Sequence, residues 1–245
     1  MIDFLQQLNW FAVGQIILID LLLGGDNAIL IALACRNLPP ALRLKGIVWG
    51  TAGAIVIRIA LIAFAVTLLQ VPFLKLAGGF LLLWIGSKLL AEEGASHDHI
   101  PGSERLLNAI KTIIVADLVM SFDNVIAVAS AAEQGGGEHQ LALVVFGILV
   151  SIPIVVWGST LVLKLMEKLP LIITAGAALL GYLGGAMMLT DVAVGPWLVA
   201  HLPASLIGPV LFGVTINVPG VACAIGVVLI GTLLARRAAV VAQRE

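Results

Sequence analysis

The stretch "LIDLLLGGDNAILIALA", Leu18 to Ala34, decides what kind of chain this is. It is apolar enough to lie in lipid, yet it carries Asp20, Asp26 and Asn27. An ionised aspartate at the centre of a membrane helix costs about 2.5–3.5 kcal/mol on insertion scales. Three polar groups in one such run need a reason.

The rest of the chain is of the same kind. Of 245 residues, 61% are hydrophobic and only 11% charged, against about a quarter charged in a soluble domain. With a mean hydropathy of +1.14 this is a multi-span helical membrane protein. The formal net charge of −1 says little about partners; the placement of the charges matters, and no nucleic-acid partner is expected. The start, MIDFLQQLNWF, lacks the basic n-region of a signal peptide and reads as leading into a retained span. Cys35 and Cys223 have no metal-site or disulfide spacing and read as small buried apolar residues.

Apolar runs of about 18 residues or more mark spans. They fall near 11–35, 44–68, 72–90, 109–132, 140–163, 171–190 and 211–235. Pro209 and Pro219 threaten the last of these with division into a surface segment and a shorter helix. Seven spans put Arg36, Arg43, Lys45, Lys88, Arg105, Lys111, Lys164, Lys168, Arg236, Arg237 and Arg244 on one side of the membrane, and only Lys75 on the other. By the positive-inside rule the N-terminus is then outside and the C-terminus cytoplasmic.

The opening stretch has a partner in "ADLVMSFDNVIAVASA", Ala116 to Ala131. Asp20-Leu21 matches Asp117-Leu118, and Asp26-Asn27 matches Asp123-Asn124, at a constant spacing of 97 residues. Gly50 matches Gly147 at the same spacing, and Gly86 matches Gly184 one residue further on. A repeat unit of three spans inverts its second copy, the plan of many secondary transporters, whose sites lie at the repeat interface near the midplane. The expected fold is an all-α membrane protein with seven transmembrane helices, a 3+3 inverted repeat plus one C-terminal helix. Residues 1–90 form the first repeat, 91–108 an acidic and histidine-bearing cytoplasmic loop, and 109–190 the second repeat. Residues 191–245 form an outer segment, the seventh helix and a basic tail.

Asp20 and Asn27 share a helix face, and Gly24 and Gly25 weaken the helix beside Asp26. Inversion pairs Asp20 with Asp123 and Asp26 with Asp117. Four carboxylates in a low dielectric bind a cation, share protons, or pair with a base. With two amide carbonyls nearby the donors are all oxygen, which suits Mn²⁺, Mg²⁺ or Ca²⁺ over Zn²⁺ or Cu⁺. Acids that merely tie helices together would not need four costly copies arranged with symmetry.

"GGDNAI", "SFDNVIA", "WGTAGAIVIR" (Trp49 to Arg58) and "GGFLLLWIGSKLL" (Gly78 to Leu90) resemble the TerC family of bacterial membrane proteins, most closely its YjbE-like branch. The resemblance covers about residues 10–190. It implies metal ligands at Asp20, Asp26, Asn27, Asp117, Asp123 and Asn124. It also implies Mn²⁺ export across the bacterial cytoplasmic membrane, with Mn²⁺ as transported substrate and proton exchange open. A second reading is a metal-supplying accessory of the secretion machinery without net transport. A third and weaker one, an intramembrane aspartyl protease, lacks the G-x-G-D pattern, because Leu23 precedes Gly24-Gly25-Asp26. Expected partners are a divalent metal ion and the bilayer; a homo-oligomer or a secretion-machinery partner stays open.

Arg58 stands alone in the second span, where the repeat has Val155. It reads either as a counter-ion of the empty carboxylate cluster or as a structural salt bridge. The loop residues Glu92, Glu93, His97, Asp98 and His99 could collect metal at the inner mouth, although such runs are more often solvated loops.

Overall fold

The structure is a computed structural model that describes residues 25–68, 71–92, 101–134, 140–201, 210–211, 214–215 and 217–242. For 62–68, 122–134, 140–147 and the two short strands, the description is of the backbone alone. The elements are α1 (Gly25–Cys35), α2 (Pro40–Leu68), α3 (Leu74–Ala91), α4 (Gly102–Gln134), α5 (Gln140–Lys168), α6 (Leu171–Leu189), α7 (Gly195–His201), β1 (Val210–Leu211), β2 (Val214–Thr215) and α8 (Val218–Ala242). Prolines mark where several helices begin. Pro40 is the first residue of α2, and Pro101 and Pro170 immediately precede α4 and α6. A proline there forfeits an N–H that has no intrahelical partner, and its fixed φ suits the first turn. The preceding carbonyls are used too: Pro39 accepts from Leu42 at 2.8 Å and Pro170 from Ile173 at 2.9 Å.

Among the described residues, five helices are long and apolar enough to cross a membrane: α2, α3, α5, α6 and α8. Their outward surfaces carry Trp49, Trp84, Trp157 and many exposed aliphatic side chains, as a lipid-facing surface must. The 33-residue α4 is also long enough to cross, and its stretch from Thr112 to Ala129 carries only Asp117 and Asp123 as charges. Of the run expected at 11–35, only the part from Gly25 is described. Several boundaries differ from the hydropathy reading. Helix α4 starts at Gly102 rather than near 109, because the polar turn at its start is helical although not apolar. The last helix runs from Val218 to Ala242 rather than 211–235. Its entry is set by Pro219, which occupies the first turn, and residues 210–215 pair instead as a two-residue antiparallel hairpin.

Helices α3, α6 and α8 form one tightly packed group, held by small residues. A Cβ on Gly79 would lie 2.5 Å from the carbonyl oxygen of Gly184, and one on Gly184 would lie 2.7 Å from that of Gly79. About two helical turns along, a Cβ on Gly86 would lie 3.2 Å from the carbonyl oxygen of Ala177. The rising numbers on α3 meet falling numbers on α6, so the two helices run antiparallel. Helix α8 lies against both, with Gly181 on Ala224 and Gly185 on Gly220. In lipid, where apolar side chains gain little by meeting each other, this close backbone approach supplies the van der Waals contact that joins helices. Helix α2 instead runs parallel to α4, with Gly50 against Ile113 and Gly53 against Ile114. Helix α1 lies along α5 and carries several fully buried side chains, Leu30 and Leu33 among them.

Asp191 fastens one end of this group. It is 1% exposed and follows α6. Its Oδ1 accepts from the N–H groups of Ala193 (2.9 Å) and Phe73 (3.2 Å), and its Oδ2 accepts from Leu76 (3.1 Å). One carboxylate thus closes the turn after α6 and caps the start of α3. Phe73, at the cap, has the left-handed φ of 63°, a conformation that this anchoring helps to hold. Burial opposes the charge on Asp191, but the backbone donors outweigh it and hold the carboxyl below its ordinary range.

Two predictions follow from this packing. Gly79→Ala or Gly184→Ala should cost about 1–3 kcal/mol, because backbone cannot give way; Gly226→Ala, whose added Cβ meets nothing within 4 Å, should be neutral or slightly stabilising. Thermal unfolding in detergent separates the three. Because the Asp191 carboxyl is depressed in the folded state, its stabilisation is present above the unfolded value near about 4 and is lost as pH falls through the lower folded value. Wild type should therefore lose melting temperature below about pH 4, and Asp191→Asn should start lower and show a flatter acid limb.

Candidate functional site

The site begins with an arginine that lipid cannot solvate. Arg58 lies in α2, 7% exposed, and Asp117 lies in α4, 4% exposed. The parallel packing of these helices brings Arg58 Nη2 within 2.5 Å of Asp117 Oδ1. Arg58 Nε donates to Ser121 Oγ at 3.1 Å, and Ser121 donates to Asp117 Oδ2 at 3.2 Å. Ser121 is one helical turn beyond Asp117, so one face of α4 presents both partners. The closed triangle satisfies both carboxylate oxygens. A buried pair of this kind is tolerable only when its remaining donors and acceptors are also met.

Beside the pair is a small buried cavity of about 20 Å³. It is lined by Asn27 and Ile31 of α1, Thr51, Ala54, Ile55 and Arg58 of α2, Asp117 of α4, and Ser151, Ile152 and Val155 of α5. That is room for one water or one small ion. Three pairs in this lining are related by the 97-residue spacing: Ala54 with Ser151, Ile55 with Ile152, and Arg58 with Val155. Asn27 Oδ1 and Thr51 Oγ1 are buried and have no hydrogen-bond partner among the described residues. Ser151 Oγ donates to the carbonyl of Ile148 at 2.8 Å. Pro153 lies within α5 on the next turn and cannot donate to the carbonyl four residues earlier, so the ladder of α5 lacks a rung next to the cavity.

Of the residues singled out by the sequence, the structure brings Asn27, Arg58 and Asp117 into one cavity. Asp26 is half-buried in the first described turn of α1, where its Oδ1 accepts the N–H of Asn27 at 2.8 Å. It is near enough to feel repulsion from Asp117 and attraction to Arg58. Asp20 lies outside the described residues, and for Asp123 and Asn124 only the helical backbone of α4 is described. Among the described residues no three Asp, Glu, His or Cys side chains come together as a metal-binding group. In the loop, Glu92 lies 3.9 Å from Lys88, and Glu93, His97, Asp98 and His99 lie outside the description. Sequence reasoning missed Thr51 and Ser151. The signal for Ser151 was present: it stands where the repeat has Ala54, a hydroxyl gained in the second copy.

Breaking a buried ion pair by removing one partner costs about 3–5 kcal/mol, since the other charge stays buried alone. Arg58→Leu and Asp117→Asn should each lower the yield of monodisperse protein and its melting temperature. The double variant should recover part of the loss, because it leaves no orphan charge. If the double variant falls by the sum of the single losses, the two residues are uncoupled.

Comparison with known proteins agrees with these features. The family model described as "Integral membrane protein TerC family" matches residues 5–239. The membrane protein YjbE of Bacillus subtilis (strain 168) is 46% identical over 193 residues, 79% of this chain and 86% of its own length. The inner membrane protein YgdQ of Escherichia coli (strain K12) is 28% identical over 184 residues, covering 66% of this chain and 73% of that protein. YkoY of Bacillus subtilis is 24% identical over 187 residues, 70% of this chain and 57% of its own. No solved structure matches. A family match over nearly the whole length and a relative at 46% identity lead to one conclusion: the chain belongs to the TerC family of integral membrane proteins.

Proposed function

We propose that this protein is a secondary transporter that exports a divalent metal ion, manganese foremost, across the bacterial inner membrane. The cavity between α1, α2, α4 and α5 is the central station of its path. The observation that carries this reading is the lining: repeat-related residues of α2 and α5 meet around one cavity that also holds a buried carboxylate. Transporters built from inverted repeats place their sites in this way, at the repeat interface. The antiparallel crossing of α3 and α6 supports inversion as well. The contact of Gly79 with Gly184 and that of Gly86 with Ala177 exchange with each other when residues are shifted by one repeat. On this reading there are seven spans, the N-terminus is outside, and the basic loops face the cytoplasm.

The cavity's polar groups are oxygens apart from the arginine: Asp117, the amide carbonyl of Asn27, and the hydroxyls of Thr51 and Ser151. Oxygen donors favour hard divalent cations over soft ones. Asp26 lies nearby, and Asp20, Asp123 and Asn124 would complete the ligand set. Arg58 then serves as the internal cation of the empty state. A metal ion entering beside Asp117 competes with it, so the guanidinium withdraws when the site fills and returns when it empties. Carboxylates released from either partner can take a proton, which would couple export to proton entry. The protease reading has less support, because Asp117 has both oxygens committed and offers no free carboxylate to activate water.

The test is flux. Sealed vesicles containing only this protein and an Mn²⁺-quenched dye should report Mn²⁺ movement, with Asp117→Asn reducing the rate at least about tenfold. Such a loss is about 1.4 kcal/mol or more in barrier height. Mn²⁺ should also raise the melting temperature more than Zn²⁺ does, and Asp117→Asn should remove that rise. Binding without flux would favour the accessory reading; neither binding nor flux would remove both.

A further inference from the structure

A second and larger cavity, of about 320 Å³, lies at the end of the bundle where most basic residues cluster. Its walls come from the end of α1, the last two turns of α3 and the first turns of α4. Part of its lining is apolar, with Trp84, Ile85 and Val115. Among the described residues the lining also carries Lys88, Arg105 and Lys111 and one acid, Glu92. The Nε of Arg105 is buried and has no hydrogen-bond partner among the described residues. Lys88 lies over the ring of Trp84, 5.4 Å from its centroid, and Trp84 itself is 60% exposed on the outside of the bundle.

We propose that this cavity binds the phosphate head of an anionic phospholipid. Among the described lining residues three cations stand against one acid, a balance that favours an anion. They attract a phosphate, and Arg105 has an unused donor aimed for one. A soluble anion would explain the charges but not the apolar wall. A lipid explains both, since its glycerol and first methylenes can lie along Trp84 and Ile85 while its head reaches the cations. Basic pockets between spanning helices near the cytoplasmic surface have this chemistry. The volume suits a head group and its glycerol, with the acyl chains left in the bilayer. The proposal stands apart from the transport reading and needs only that the chain spans a membrane.

The test uses the full chain, purified in detergent with equal amounts of phosphatidylglycerol and phosphatidylcholine. Native mass spectrometry should find phosphatidylglycerol retained at least about tenfold over phosphatidylcholine, and added phosphatidylglycerol should raise the melting temperature. The triple variant Lys88→Gln, Arg105→Gln, Lys111→Gln should lose both effects while melting like wild type in phosphatidylcholine alone. Arg236→Gln with Arg237→Gln, outside the cavity, should keep them. Equal retention by wild type and the triple variant would overturn the proposal. So would equal stabilisation by millimolar inorganic phosphate, which would make the cavity a soluble-anion site.

Discussion

A positive charge held inside an apolar bundle is the constraint on which the central architecture depends. Arg58 can neither reach water nor shed its proton under ordinary conditions. Its neighbours must therefore supply a negative charge and acceptors, and they must come from another helix. Asp117 and Ser121, one turn apart on α4, do this. The requirement fixes the register of α4 against α2: a slide of one residue along either helix would separate the guanidinium from both partners. Gly50 and Gly53, which let α4 approach closely, lie on the same face of α2 within two turns of Arg58. Close approach and charge pairing are thus two aspects of one alignment.

The cavity beside this pair inherits its properties from the same alignment. Among the described residues two of its buried polar atoms, Asn27 Oδ1 and Thr51 Oγ1, have no hydrogen-bond partner. Buried acceptors without donors are costly in a low dielectric, about 1–3 kcal/mol each. The Asp191 carboxylate is the opposite case. Each of its hydrogen bonds goes to backbone, it joins the ends of two helices, and its role is complete in the fold as it stands.

Much of this was legible in the sequence, for physical reasons that can be named. Proline at helix starts and long apolar runs mark α2, α3, α5 and α6 to within a few residues. The ends of α4 and α8 were harder, since hydropathy reports apolar length and these helices carry polar or basic turns. Arg58 and Asp117 stood out because a charge in an apolar run is rare. Their pairing with each other was not legible, because the repeat spacing relates Asp117 to Asp20 and is silent on the rotational phase of α2 against α4. Thr51 carries no charge and gave no warning, and Ser151 showed only as a hydroxyl where the repeat has Ala54. Asp191 was hidden for another reason: two of its donors, Phe73 and Leu76, lie more than 110 residues away along the chain.

The glycine contacts have a mechanical consequence. Where α6 meets α3 and α8, backbone touches backbone at Gly79 with Gly184, Gly181 with Ala224 and Gly185 with Gly220, contacts that no change of rotamer relieves. Those seams resist sliding. Between α2 and α4 the glycines are met instead by the terminal methyl groups of Ile113 and Ile114, which have alternative rotamers within reach. Relative displacement is thus cheap at one seam and expensive at the other. The packing around the charged pair can therefore give way by a change of rotamer, whereas that around α6 cannot.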